Sequence, residues 1–201
     1  MVMMFQMYKD LLSQFNINIS MYRLKQHEET IGHQVRVGSV VNLITKHLGY
    51  DKQTSNDVSA FARLHDIGKM YLCKDVLYCK SELPSHDIQA LHTHTQVGYE
   101  VVKEATKDLD ISPVDKSRLL DIILNHHCAE YCMASGIVRI VTVADCFDAM
   151  MYGRCYKKAL GLDKTIDELE KYSGTRYDKE VVDALLEIIE KDHRLKDIYN
   201  H

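Results

Sequence analysis

Histidine and aspartate recur in this chain at positions from which a metal centre can be built. His65-Asp66 is followed by Ile67-Gly68-Lys69. Imidazole nitrogen and carboxylate oxygen together suit iron, manganese, zinc or similar ions, and a carboxylate can bridge two of them. A glycine just beyond lets the chain turn away, leaving both side chains at an open helix end. Lys69 adds a point charge suited to phosphate. Taken alone, the pair reads more simply as a helix C-terminus whose His and Lys complement the dipole.

Other residues change that balance. His33 lies mid-helix with Glu29 one turn earlier, so both can face one site. His94 precedes Gly98 in HTHTQVG, where a small residue allows close helix packing, and His92 competes with it. His126 and His127 end a helix that is apolar on one face; adjacent helical positions diverge by roughly 100°, a poor arrangement for one ion but suitable for two. Asp145 stands inside the apolar run IVRIVTVADCF, where a carboxylate is costly to bury unless paired or metal-bound. In HHCAEYCMASG, Cys128 and Cys132 have no second Cys/His pair at zinc-finger spacing, so a zinc element is the weaker reading.

Helices must position these groups. Apolar spacings of three and four predict one long helix over 21–48, ended by Gly49, and a second over 56–66. Further helices are predicted over about 85–106, from Pro113 to His127, over 137–151, and in a last amphipathic segment, EVVDALLEIIE. IVRIVTVA is β-branched enough for a strand, but no partner strand is apparent, so helix is preferred. The start, MVMMFQMYKDLLSQF, reads as an amphipathic helix rather than a signal peptide. The expected architecture is all-α: a helical bundle with the metal site in its core cleft.

The remaining composition excludes several function classes. A chain of 201 residues suffices for one well-packed domain. A formal charge of −4 gives no general reason to bind duplex nucleic acid or an anionic membrane, and no apolar run is long enough to cross a bilayer. Six irregularly spaced cysteines, without a secretory signal, are expected to be reduced thiols in the cytoplasm.

HDIGK, HTQVG, HH, VADCFDA, RCYKKAL and SGTRYD occur in the order and context of a known family. From about Glu29 to Leu186 the chain resembles the HD-GYP branch of the HD-domain phosphohydrolases. His33, Arg36 and Val37 match the opening helix of that branch. The resemblance implies that His33, His65, Asp66, His94, His126, His127 and Asp145 are metal ligands, with Glu29 at the position that builds a third site in some members. It implies two or three divalent transition-metal ions, iron or manganese, with Asp66 bridging a pair and a metal-bridged hydroxide attacking phosphorus. Lys69, Arg154 and Lys157 would contact substrate phosphate, and Asp148, three residues after Asp145, would support a ligand.

On this resemblance, residues 25–201 form an HD-GYP-like domain behind a helical extension, 1–24, that either packs on the domain or forms a homodimer. The implied function is a metal-dependent phosphodiesterase acting on a cyclic dinucleotide, cyclic di-GMP or a relative. The alternatives are a phosphohydrolase of another nucleotide and a catalytically weak metal-containing binding or signalling module. Three departures bear on the choice. Cys128 stands where members carry glutamate, and no GYP segment lies between His127 and Asp145; the proline common after HDIGK is also absent, with Cys73 near its place. The expectation is a complete metal centre beside a shortened substrate lip.

Overall fold

The computed structural model describes residues 2–72, 77, 91, 93–127, 134–153 and 158–199. Three helices open the chain: α1 (Val2–Gln14), α2 (Met21–Gln26) and α3 (Glu28–His47). They are followed by α4 (Lys52–Ala62) and a 3-10 helix (Ile67–Tyr71). Then come α5 (His94–Ala105), α6 (Pro113–Asn125) and α7 (Gly136–Tyr152). The chain ends in α8 (Leu162–Lys171), α9 (Lys179–Lys191) and α10 (His193–Tyr199). Among the described residues there is no strand, only an isolated bridge between Ser173 and Tyr177 in the SGTRYD turn. IVRIVTVA is helical, inside α7.

Local chemistry accounts for the helix starts. Asp51 accepts from Thr54 N (2.9 Å) to begin α4, four residues earlier than apolar periodicity predicts. Ser112 accepts from Asp115 N (3.1 Å), with Pro113 in the first turn of α6. Each cap satisfies a backbone N–H that the helix leaves unpaired.

Three sequence expectations need correction. The helix over 21–48 is two helices, with His27 ending α2 and opening α3. The segment over 56–66 stops at Ala62, so His65 and Asp66 follow in a tight turn. EVVDALLEIIE is not the last helix: α10 follows it.

α3 is the central element, packed by α1, α4, α7, α9 and α10. Val37, Val40, Val41 and Ile44 are fully buried along it. α1 joins the same core: Tyr8 and Leu12 are buried, and the Tyr8 hydroxyl donates to Gln34 Oε1 at 2.9 Å. Burying that hydroxyl is inexpensive only because of this bond.

Candidate metal centre

Six segments bring their polar residues to one point in the bundle. α3 supplies His33, the turn after α4 supplies His65 and Asp66, and the 3-10 helix supplies Lys69. His94 is the first residue of α5, His126 caps α6 with His127 beyond it, and α7 supplies Asp145 and Asp148. His33, His65, Asp66, His94, His126, Asp145 and Asp148 are all at most 6% exposed. His127 is the open edge, with its side chain 41% exposed.

Asp66 organises the cluster. Its Oδ2 lies 3.3 Å from His65 Nε2 and 3.7 Å from His33 Nε2, and Lys69 Nζ also donates to it. Its Oδ1 faces the other way, 3.1 Å from His94 Nε2 and 3.6 Å from His126 Nε2. Asp145 spans the same gap, with Oδ1 3.0 Å from His33 Nε2 and Oδ2 3.9 Å from His127 Nδ1. The donor atoms thus fall into two adjoining groups, His33–His65–Asp66 and Asp66–His94–His126–His127.

The imidazoles are aimed from behind by backbone carbonyls. His65 Nδ1 lies 2.7 Å from Ala62 O, and His126 Nδ1 lies 3.1 Å from Ile122 O and Ile123 O. His94 Nδ1 is held by Leu91 O. A donating Nδ1–H leaves Nε2 as a lone pair directed inward. His65 Nε2 and Asp66 Oδ1 are buried and have no hydrogen-bond partner. Buried polar atoms are rarely left so, and two that share a ring of ligand-type atoms fit a cation.

Electrostatics support the ligating protonation states. Burial would raise the Asp66 carboxyl, but the Lys69 ammonium and the His65 and His126 imidazoles hold it well below the usual carboxylate range. Burial would likewise raise the Asp145 carboxyl, but His33 foremost, with His65 and His127, holds it well below the usual carboxylate range. Desolvation pushes His126 down against the pull of Asp66, and pushes His127 down together with the neighbouring His126. Carboxylates are therefore charged and these imidazoles neutral near neutral pH, the forms that bind cations.

Glycines permit the convergence. A Cβ on Gly68 would stand 1.9 Å from His94 O and 2.7 Å from Gly98 N, so the HD turn and the start of α5 touch backbone to backbone. Gly68 is not among the glycines with positive φ, so close approach is what it contributes. Gly98 has the packing role its spacing suggested, with a built Cβ 3.0 Å from Ile123 Cγ2.

Not every expected residue joins the cluster. Glu29 lies one turn before His33, half-buried, and makes no ion pair with the cluster among the described residues. Arg154, Lys157, Cys128, Cys73, Cys132 and His92 lie outside the described residues. The ring centroids of His126 and His127 are 4.1 Å apart, and both rings join the same donor group. The divergence expected of helical neighbours does not apply because α6 has ended at Asn125. One participant was missed: the Tyr199 hydroxyl, on α10, donates to Asp148 Oδ1 at 2.8 Å. Nothing in the local sequence around Tyr199 signals this.

A family model described as the HD domain matches residues 30–150. The chain is 30% identical over 207 residues to a cyclic di-GMP phosphodiesterase of Thermotoga maritima, covering 97% of this chain and 53% of that protein. It is 29% identical over 164 residues to the cyclic di-GMP phosphodiesterase response regulator RpfG of Xanthomonas campestris pv. campestris, covering 75% and 41%. It is 27% identical over 158 residues to the 3'3'-cGAMP-specific phosphodiesterase 3 of Vibrio cholerae, covering 78% and 34%. The chain thus spans about half the length of these curated relatives or less. Among the described residues, no helix is long and apolar enough to cross a membrane.

Proposed function

The chain belongs to the HD-domain family, and on that premise we propose that it is a metal-dependent phosphodiesterase of the HD-GYP type that hydrolyses a cyclic dinucleotide. The observation that carries this reading is the placement of Asp66, whose two oxygens face separate histidine groups. A carboxylate so placed suits two adjacent cations, which His33, His65, Asp66 and Asp145 would hold on one side and Asp66, His94, His126 and His127 on the other. An imidazole and carboxylate set without thiolate suits iron or manganese. Bound cations of this kind supply an activated water nucleophile and Lewis acidity toward phosphoryl oxygens.

The chain's own residues do the rest. Asp148 and the backbone carbonyls fix which imidazole nitrogen faces inward. Lys69, drawn to Asp66, places a positive charge beside the site where a phosphoryl oxygen gains charge. Arg154 and Lys157 are assigned to substrate phosphate, and Glu29 to a third cation one turn from His33. The names of the relatives favour cyclic di-GMP or 3'3'-cGAMP as substrate. A second reading, hydrolysis of a differently shaped nucleotide, is favoured by Cys128 and by the short stretch of sequence between His127 and Asp145, which carries no GYP segment.

The test is turnover of cyclic di-GMP, 3'3'-cGAMP, linear dinucleotides and nucleoside monophosphates by metal-loaded protein, with products separated chromatographically. Cyclic dinucleotide hydrolysis that Asp66→Ala abolishes is the expected result. Activity that survives Asp66→Ala overturns the centre. No turnover of any of these by protein carrying its ions leaves a metal-containing binding module instead.

A further inference from the structure

A groove of about 460 Å3 opens where α3, α4 and α10 meet, lined among others by Asn42, Asn56, Ser59, Arg63 and Arg194. None of these residues belongs to the His/Asp centre. Arg63 caps the C-terminus of α4, and Gly38 sets the path of its side chain. A Cβ on Gly38 would stand 2.4 Å from Arg63 Cγ and 2.8 Å from both Arg63 Nε and Ser59 O. The arginine stem therefore lies flat across the glycine, at a crossing that the Ser59 hydroxyl ties by donating to Gly38 O at 2.7 Å.

This path buries the Nε of a half-buried arginine without giving it a counter-charge. Arg63 Nε is buried and has no acceptor. Among the described residues the one hydrogen bond of the group, from Nη1, goes to Met7 Sδ at 3.9 Å, a weak acceptor. No carboxylate pairs with Arg63 among the described residues. Arginine stays charged under such conditions, and a desolvated cation without a partner is costly.

The groove offers more donors. Asp192 occupies Nε and Nη2 of Arg194, leaving its Nη1 uncommitted. Asn42 Nδ2 donates to Ser55 O and Asn56 Oδ1, which leaves the Asn56 amide N–H groups unspent. Asp10, to which Gln6 Nε2 donates, borders a separate depression that shares Arg63 and is not among the residues lining this groove.

We propose that this groove is a second ligand site, which binds the phosphate group of a small phosphate ester with Arg63 as its anchor. Two arginines and an amide can satisfy several oxygens of one tetrahedral anion, and the volume is of the size that small-molecule sites have. Each wall also carries part of the metal centre. Arg63 stands two residues before His65, α3 holds both Gly38 and His33, and α10 holds both Arg194 and the Tyr199 that donates to Asp148.

Calorimetric titration tests this without reference to turnover. Metal-loaded protein is titrated with inorganic phosphate, guanosine 5'-monophosphate, guanosine and succinate. The expected result is a saturable event for the two phosphate compounds, absent with guanosine, that persists in Asp66→Ala. Arg63→Gln weakens it by roughly tenfold or more, as the loss of a charge-assisted contact demands, while metal content is unchanged. Arg194→Gln, at an exposed position, provides a second reading should Arg63→Gln unfold; it weakens the event severalfold. Tighter binding of the monophosphate than of inorganic phosphate assigns the site to a nucleotide, and equal binding assigns it to the phosphate alone. An event lost in Asp66→Ala and intact in both arginine variants overturns the proposal, as does succinate binding as tight as phosphate.

Discussion

Nδ1 of His33 lies 2.7 Å from Oδ2 of Asp148, joining α3 to α7 across 115 positions of sequence. The other ring nitrogen, Nε2, lies 3.0 Å from Asp145 Oδ1 at the centre of the cluster. Asp148 also receives Arg36 Nε at 2.7 Å, Arg36 Nη2 at 3.0 Å and the Tyr199 hydroxyl at 2.8 Å. Burial would raise this carboxyl, yet its bonds to His33 and Arg36 outweigh that and hold it charged. A charged acceptor behind Nδ1 fixes the tautomer that presents Nε2 to a cation.

Asp148→Asn leaves the shape and removes the charge, so His33 loses its fixed tautomer. Cation affinity is expected to fall by roughly 10–100-fold, measured by competition with a chromophoric chelator. Unchanged affinity would mean that Asp148 does not orient His33.

Tyr199→Phe deletes a hydrogen bond to a buried charged group, a loss of about 1.5–3 kcal/mol. Urea denaturation of the single variants and of Tyr199→Phe/Asp148→Asn reads the coupling. Strict additivity of the two substitutions would show that the hydroxyl and the carboxylate do not interact.

Gly68→Ala and Gly49→Ala separate two uses of glycine. Gly49 has φ +81° with open space around it, so a methyl group there costs about 1–2 kcal/mol of backbone strain. At Gly68 the methyl would meet the backbone of α5, and the expected cost is about 4 kcal/mol or more. Equal melting temperatures for the two variants would refute the close contact between the HD turn and α5.

Metal-free protein should lose stability on acidification in two stages. His126 and His127 are held below their ordinary 6.5, so below that pH the unfolded chain takes up protons that the folded chain refuses. Stability then falls as pH falls. Asp66, Asp145 and Asp148, held below their ordinary 3.8, contribute stability that is present above that value and lost as pH drops through their folded pKa values. The melting temperature in chelator is therefore expected to decline from about pH 6.5 downward, and added cation to raise it at neutral pH. A midpoint that climbs between about pH 6.5 and 5 would contradict neutral, buried imidazoles.

The helices of the bundle and the segments that carry its histidines are legible in the sequence because they depend on neighbours. Apolar periodicity, Asp51, Ser112, Pro113 and Gly49 act within a few residues of themselves, and the HD, HH and VADCFDA segments are recognisable as strings. What those segments do to one another is not local. That the two oxygens of Asp66 face different histidines, that Gly68 serves a contact rather than a turn, and that Tyr199 reaches Asp148 are decided by how α3, α5, α7 and α10 cross. Even the break at His27 carries no glycine or proline to announce it. Sequence determined which groups were available and in which segments; only packing decided which atoms meet, because the distances that govern coordination are set between elements far apart in the chain.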